Sequence, residues 1–129
     1  MKGKTMPFHP ENPVVWTEIP VRDLTAAQKF YQTVLGIQMN RSTMDGFEMV
    51  DFKAATQSGV AGHLYVGEPA SKGAGPTVHL AIPDQVEAAL DRVRAAGGRV
   101  ISPVITIPPG RFAKIEDPDG NSIGLFEPA

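Results

Sequence analysis

Five side chains in this sequence have the chemistry to hold a metal ion or move a proton: Glu18, Glu48, His63, His79 and Glu127. Imidazole and carboxylate together suit Zn, Fe, Mn or Ni. Three such groups around an open coordination position make a catalytic site. Without a metal, a carboxylate shielded from water has a raised pKa and serves as a general base. Glu18 stands out, because Trp16-Thr17-Glu18 lies in a strand-like stretch and alternation puts the acid on the same face as the tryptophan. His63 lies in Gly62-His63-Leu64-Tyr65, whose apolar neighbours suit a structural histidine. Glu48 and Glu127 sit near expected strand ends, where a solvated acid is the ordinary outcome, and His9 has no supporting context. The absence of cysteine excludes disulfides, thiolate metal sites and a cysteine nucleophile.

The elements that must position these residues are written twice. Residues 14–37 read as an apolar strand, Ile19-Pro20, an acidic turn, a helix with Ala26-Ala27, and a terminal Gly36. Residues 77–98 repeat that order, with Ile82-Pro83, Ala88-Ala89 and Gly97-Gly98. An internal repeat is a stronger fold signal than any single motif. Aligning the Ile-Pro pairs matches Trp16 with His79, whereas aligning the Ala-Ala pairs matches Trp16 with Val78. A one-residue slip exchanges the two faces of a strand, so the pattern leaves the direction of His79 open.

Within the first helix, Leu24, Ala27, Phe30, Tyr31, Val34 and Leu35 form one apolar stripe, with Asp23 or Thr25 as N-cap and Gly36 as C-cap. Strands are expected over 37–40, 47–54 and 60–66, separated by Asp45-Gly46 and a polar turn over 56–59. Residues 67–76 have the composition of a flexible linker. The second half follows the same plan, with strands over 77–82, 99–107, 111–116 and 122–127, and a tight turn at Asp117-Pro118-Asp119-Gly120-Asn121. Residues 1–12 read as a loose, proline-punctuated arm, and 13–127 as one domain made of module one (13–66), the linker and module two (77–127). The fold class is therefore α+β: two βαβββ modules forming a curved mixed-sheet cup, with the helices outside.

A net charge of −2 gives no electrostatic footprint for nucleic acid or an anionic membrane. The N-terminal residues lack the apolar core of a signal peptide and no run is long enough to span a membrane, so the expected setting is cytoplasmic. No nucleotide-binding glycine fingerprint, phosphate-cradling loop or nucleophile elbow is present.

Ile19-Pro20-Val21-Arg22-Asp23-Leu24 running through Phe30-Tyr31 and Leu35-Gly36, together with Ala95-Ala96-Gly97-Gly98 and Asp117-Pro118-Asp119-Gly120-Asn121, resembles the vicinal oxygen chelate superfamily of glyoxalases, bleomycin-resistance proteins and extradiol dioxygenases. The resemblance covers residues 13–127 and implies a small-molecule ligand in the cup and a homodimer. It also implies a divalent metal held from the first strand, the start of the second half and the last strand. In this chain those positions fall on Trp16, on Val78 or His79, and on Gly124, so only His79 retains a ligand group. Two readings follow. One is a glyoxalase- or dioxygenase-like enzyme with Glu18 and His79 as catalytic groups and His79, Glu18 or Glu48 as metal ligands. The other is a metal-free binding protein with Trp16, Phe47, His63, Tyr65, Phe112 and Gly124 around an apolar pocket, since a glycine inside a strand marks close approach of a ligand or another backbone.

Overall fold

The computed structural model describes residues 7–56 and 59–129. The first six residues of the expected arm and the middle of the 56–59 turn lie outside them. The first half runs β1 (Trp16–Val21), α1 (Leu24–Leu35), β2 (Asn40–Met44), β3 (Phe47–Phe52) and β4 (Ala61–Val66). The second runs β5 (Val78–Ala81), α2 (Val86–Ala95), β6 (Arg99–Val100), β7 (Ile105–Ile107), β8 (Gly110–Glu116) and β9 (Ser122–Pro128). The first half is thus a β-α-β-β-β unit, and the second follows the same plan with its second strand split into β6 and β7; each has its own sheet, ordered β1-β4-β3-β2 in one and β5-β9-β8-β6 in the other, with β7 also on β8. The pairs β1–β4 and β5–β9 are parallel and the rest antiparallel. Among the described residues no strand ladder joins the two sheets.

Alternation sorts each sheet into a helix-covered face and an open face. In the first half Ile19, Val21, Val50 and Leu64 are buried beneath the α1 stripe of Leu24, Ala27, Phe30, Tyr31, Val34 and Leu35. In the second, Ala113, Ile115, Ile123 and Leu125 are buried with Val86, Ala89, Leu90 and Val93 of α2. All of these belong to one continuous core. Helix α1 starts where the Asp23 carboxylate accepts the Ala26 N–H at 3.0 Å and stops at Gly36, whose φ of 67° is left-handed.

Helix α2 is capped differently. Gln85 gives no side-chain cap, and Oε1 of Glu127 on β9 accepts the Val86 N–H at 3.0 Å and an Arg111 N–H at 2.8 Å. The Glu127 carboxylate is therefore engaged on the helix side of its sheet and does not join a metal constellation.

Two strand expectations shift. The segment expected at 37–40 pairs only from Asn40, because Met39 N–H donates to Gln32 Oε1 at 3.0 Å and Met39 C=O accepts from Gln28 Nε2 at 3.1 Å. These α1 side chains take the backbone groups that a ladder would use. The strand expected over 99–107 is broken, with Ile101 N and Ser102 N both donating to Lys114 O at 2.9 and 3.2 Å. Ser102 Oγ in turn accepts the Lys114 N–H at 2.9 Å, just before Pro103, which has no N–H to offer. The Asp45-Gly46 turn is as read: both residues have positive φ, 52° and 82°, as a two-residue hairpin requires.

The halves are tied together at the 117–121 turn. Tyr31 Oη, at 1% exposure, donates to Asp117 Oδ2 at 2.6 Å. The same carboxylate accepts the Asp119 and Asn121 backbone N–H groups and the Asn121 side-chain amide, each at 2.9 Å. That amide also donates to Pro20 O at 2.8 Å. Arg22 adds backbone and guanidinium bonds to Asp119, and Arg92 Nε donates to Val34 O at 3.1 Å. The Tyr31 hydroxyl is thus committed to holding the fold.

Burial, then the Asp117 charge, push the Tyr31 phenol well above its ordinary value of 10.0. A raised folded-state pKa contributes stability that is complete below pH 10.0 and is lost as pH rises beyond it. Tyr31→Phe is expected to cost about 2 kcal/mol, the range for a hydrogen bond to a charged group. Urea unfolding at neutral pH checks it, and the variant's stability should fall less than that of the native chain above pH 10.0.

Candidate small-molecule pocket

The open face of the first sheet carries Trp16 and Glu18 from β1, Ala61, His63 and Tyr65 from β4, Phe47, Met49 and Asp51 from β3, and Ser42 and Met44 from β2. Cross-strand pairing puts them in rows: Trp16 opposite Ala61, Glu18 opposite His63, His63 opposite Asp51, and Tyr65 opposite Met49. These residues line one cavity of about 1290 Å³, with Lys53 also in its wall. Apolar residues on this face stay exposed, 50% for Trp16, 64% for Met44 and 75% for Phe47. An apolar concavity with a few polar groups is the usual form of a small-molecule site.

Three of the residues form a contiguous polar cluster. The indole Nε1 of Trp16 donates to His63 Nδ1 at 3.0 Å, and His63 Nε2 lies 3.2 Å from Glu18 Oε2. His63 is nearly buried, at 8% exposure, and its ring meets Tyr65 edge-on at 6.2 Å. Both imidazole nitrogens are occupied, so His63 cannot take a metal ion without giving up a partner. The Ser42 hydroxyl oxygen is buried without a partner among the described residues.

His79 lies apart from this cluster. It pairs with Gly124 across β5–β9, while Val78 and Leu80 share a face with buried Ile123 and Leu125. Its side chain therefore points away from α2, which selects the Ile-Pro alignment of the repeat. The ring meets Phe112 edge-on at 5.1 Å. A methyl group at residue 124 would fall on that ring, so Gly124 makes room for His79. Neither His79, Phe112 nor Gly124 lines the cavity that holds Glu18 and His63. Burial first, and Lys114 second, hold His79 below its ordinary 6.5.

Glu48 also lines this cavity. It shares a strand with Phe47 but not a face, and Arg41 Nη1 donates to its carboxylate at 2.7 Å. The structure thus gathers Trp16, Glu18, Phe47, Glu48, His63 and Tyr65 around one cavity, with Glu48 held by Arg41, and sets His79, Phe112 and Gly124 on the other sheet. Among the described residues no three His, Asp or Glu side chains are placed to hold a metal ion. The positions that the superfamily uses for a metal carry Trp16, His79 and Gly124 and do not fit one. Asp51, Lys53, Ser42 and Met49 were not foreseen, although counting by twos from Phe47 finds Met49, Asp51 and Lys53.

Two repeated β-α-β-β-β units with an open, pocket-bearing sheet face define a class of small-molecule-handling proteins. The sequence profile described as the Glyoxalase/Bleomycin resistance protein/Dioxygenase superfamily matches residues 14–125, and the chain belongs to that superfamily. A relative from Mycobacterium bovis, named "Putative glyoxylase CFP32", is 32% identical over 117 residues, which are 87% of this chain. The match spans only 44% of that relative's length. Among solved structures, a glyoxalase/bleomycin resistance protein from Albidiferax ferrireducens superposes with a TM-score of 0.68 at 23% identity, over 89% of this chain and 98% of that one. A V278E mutant of glyoxalase I from Zea mays superposes at 0.67 and 21% identity, over 89% and 46%. At these identities both show the fold alone.

No helix among the described residues is long and apolar enough to cross a membrane.

Gly124→Ala is expected to displace His79 from Phe112 while leaving the fold intact, because the obstructing ring lies on an exposed side chain that can swing away. The His79 Cε1–H resonance should lose the ring-current shift of Phe112, and its titration midpoint should rise toward 6.5. Because His79 has a lowered folded-state pKa, its small stability contribution is present above pH 6.5 and is lost as pH falls below it.

Proposed function

We propose that this chain binds a small, largely apolar organic molecule on the open face of the first sheet, with Glu18 as its polar anchor and without a metal at the superfamily's ligand positions. The observation that carries the reading is the coincidence of the cavity with the Trp16–His63–Glu18 chain, whose last member is a carboxylate at the cavity wall. An enzyme is the second reading, favoured by the same carboxylate: an acid held by a histidine is a positioned general base for a substrate bearing an acidic C–H beside an oxygen. The glyoxylase name of the mycobacterial relative supports that reading for part of its length. In neither reading does a step pass through a metal.

Homodimer formation belongs to the same proposal. The open face of the second sheet presents His79, Phe112, Lys114 and Phe126, apolar and cationic, while that of the first presents Glu18 and Asp51 among aromatic side chains. The second face of one copy complements the first face of another in charge and in apolar character. Such a dimer would cover the exposed Trp16 and Phe47 and add His79 to the pocket.

Saturable quenching of the single tryptophan, Trp16, is expected with flat apolar ligands, and Glu18→Gln should weaken it at least tenfold for ligands with a cationic head. No change across a broad panel would overturn the pocket. Sedimentation is expected to show a dimer at micromolar concentration, and Phe112→Glu a monomer with unchanged far-ultraviolet dichroism. A native chain that sediments as a monomer would remove the dimer.

A further inference from the structure

The hydrogen bond from Trp16 to His63 on the pocket floor runs in one fixed direction. An indole N–H only donates, so His63 Nδ1 is its acceptor and carries no proton. The proton of the neutral ring is then on Nε2, the nitrogen that lies 3.2 Å from Glu18 Oε2. What this chain presents to the cavity is a carboxylate with acceptor capacity left over. Asp51, opposite His63 on the next strand, adds a second carboxylate that enters no hydrogen bond or ion pair among the described residues. Lys53 is the single cationic side chain among the described lining residues, and Trp16, Phe47 and Tyr65 offer aromatic faces. Aromatic faces attract cations, and two nearby carboxylates repel an oxyanion.

We infer that the cavity selects an apolar molecule bearing a protonated amine or another N–H donor, which the Glu18 carboxylate receives. Trp16 is a positioning residue: by occupying Nδ1 it fixes the tautomer of His63 that orients Glu18. The inference rests on the first-sheet cavity being the ligand site, and it names the ligand's polar head as a donor.

Three probes sharing one body test it: 2-(2-naphthyl)ethylamine, 2-(2-naphthyl)ethanol and 2-naphthylacetate, titrated by calorimetry against the full chain. The amine is expected to bind at least tenfold tighter than the carboxylate, with the alcohol between. Glu18→Gln should remove most of that preference by weakening the amine. Long-range ¹⁵N spectra of the free protein should show His63 protonated at Nε2 and bare at Nδ1. Trp16→Phe should mix the tautomers and reduce the preference for the amine. A carboxylate that binds as tightly as the amine, or a preference that survives Glu18→Gln, overturns the inference and leaves the pocket standing. A His63 protonated at Nδ1 overturns the positioning role of Trp16. If none of the three probes binds, the inference and the pocket fall together.

Discussion

The bond from Tyr31 to Asp117 is the contact on which the arrangement of the two halves depends. Among the described residues no ladder crosses between the sheets, so their relative placement rests on side chains and on a shared core. Apolar packing alone is non-directional and tolerates small rotations. A buried carboxylate that accepts from a phenol, two backbone N–H groups and an amide fixes one geometry, because any rotation leaves a charge-bearing acceptor without donors. Asn121 completes the tie by giving its second amide hydrogen to Pro20 O at the end of β1. The strand that carries Trp16 and Glu18 is thereby anchored to the far half of the molecule.

That anchoring explains how the pocket can remain so apolar and open. Folding free energy comes from the helix-covered faces, where Val21, Val50, Leu64, Ile123 and Leu125 are fully buried. The opposite faces are then released from any duty to form a core. Trp16 and Phe47 occupy positions where a strand of a solvated sheet would ordinarily carry polar groups. Their exposure is the surface that the proposed ligand or second copy would cover.

The fold was legible because its signals are local and repeated. The α1 stripe, the Gly36 cap and the Asp45-Gly46 and Asp117–Asn121 turns each follow from a few adjacent residues. The site was legible only in part, since it depends on pairing. His63 looked structural among its apolar neighbours, and its contacts with Trp16 and Glu18 span 47 and 45 residues, a reach that no local pattern encodes. Glu127 looked like a free acid near a strand end because the helix it caps begins 41 residues earlier. The twofold ambiguity over His79 was a question of register, and register is decided by which face the helix covers.

In both sheets the strand made last lies in the interior, β4 between β1 and β3, and β9 between β5 and β8. The first strand of each unit therefore has no neighbour in its sheet until the unit's final residues exist. During synthesis on the ribosome β1 must wait for β4, and α2 must wait for the glutamate of β9 that closes its first turn. Such an order makes each unit assemble nearly all at once, by long-range closure and at the slower rates that closure brings. The exposed tryptophan, phenylalanine and methionines of the nascent first unit are already synthesised before β4 emerges, which is the interval in which a chaperone would find them.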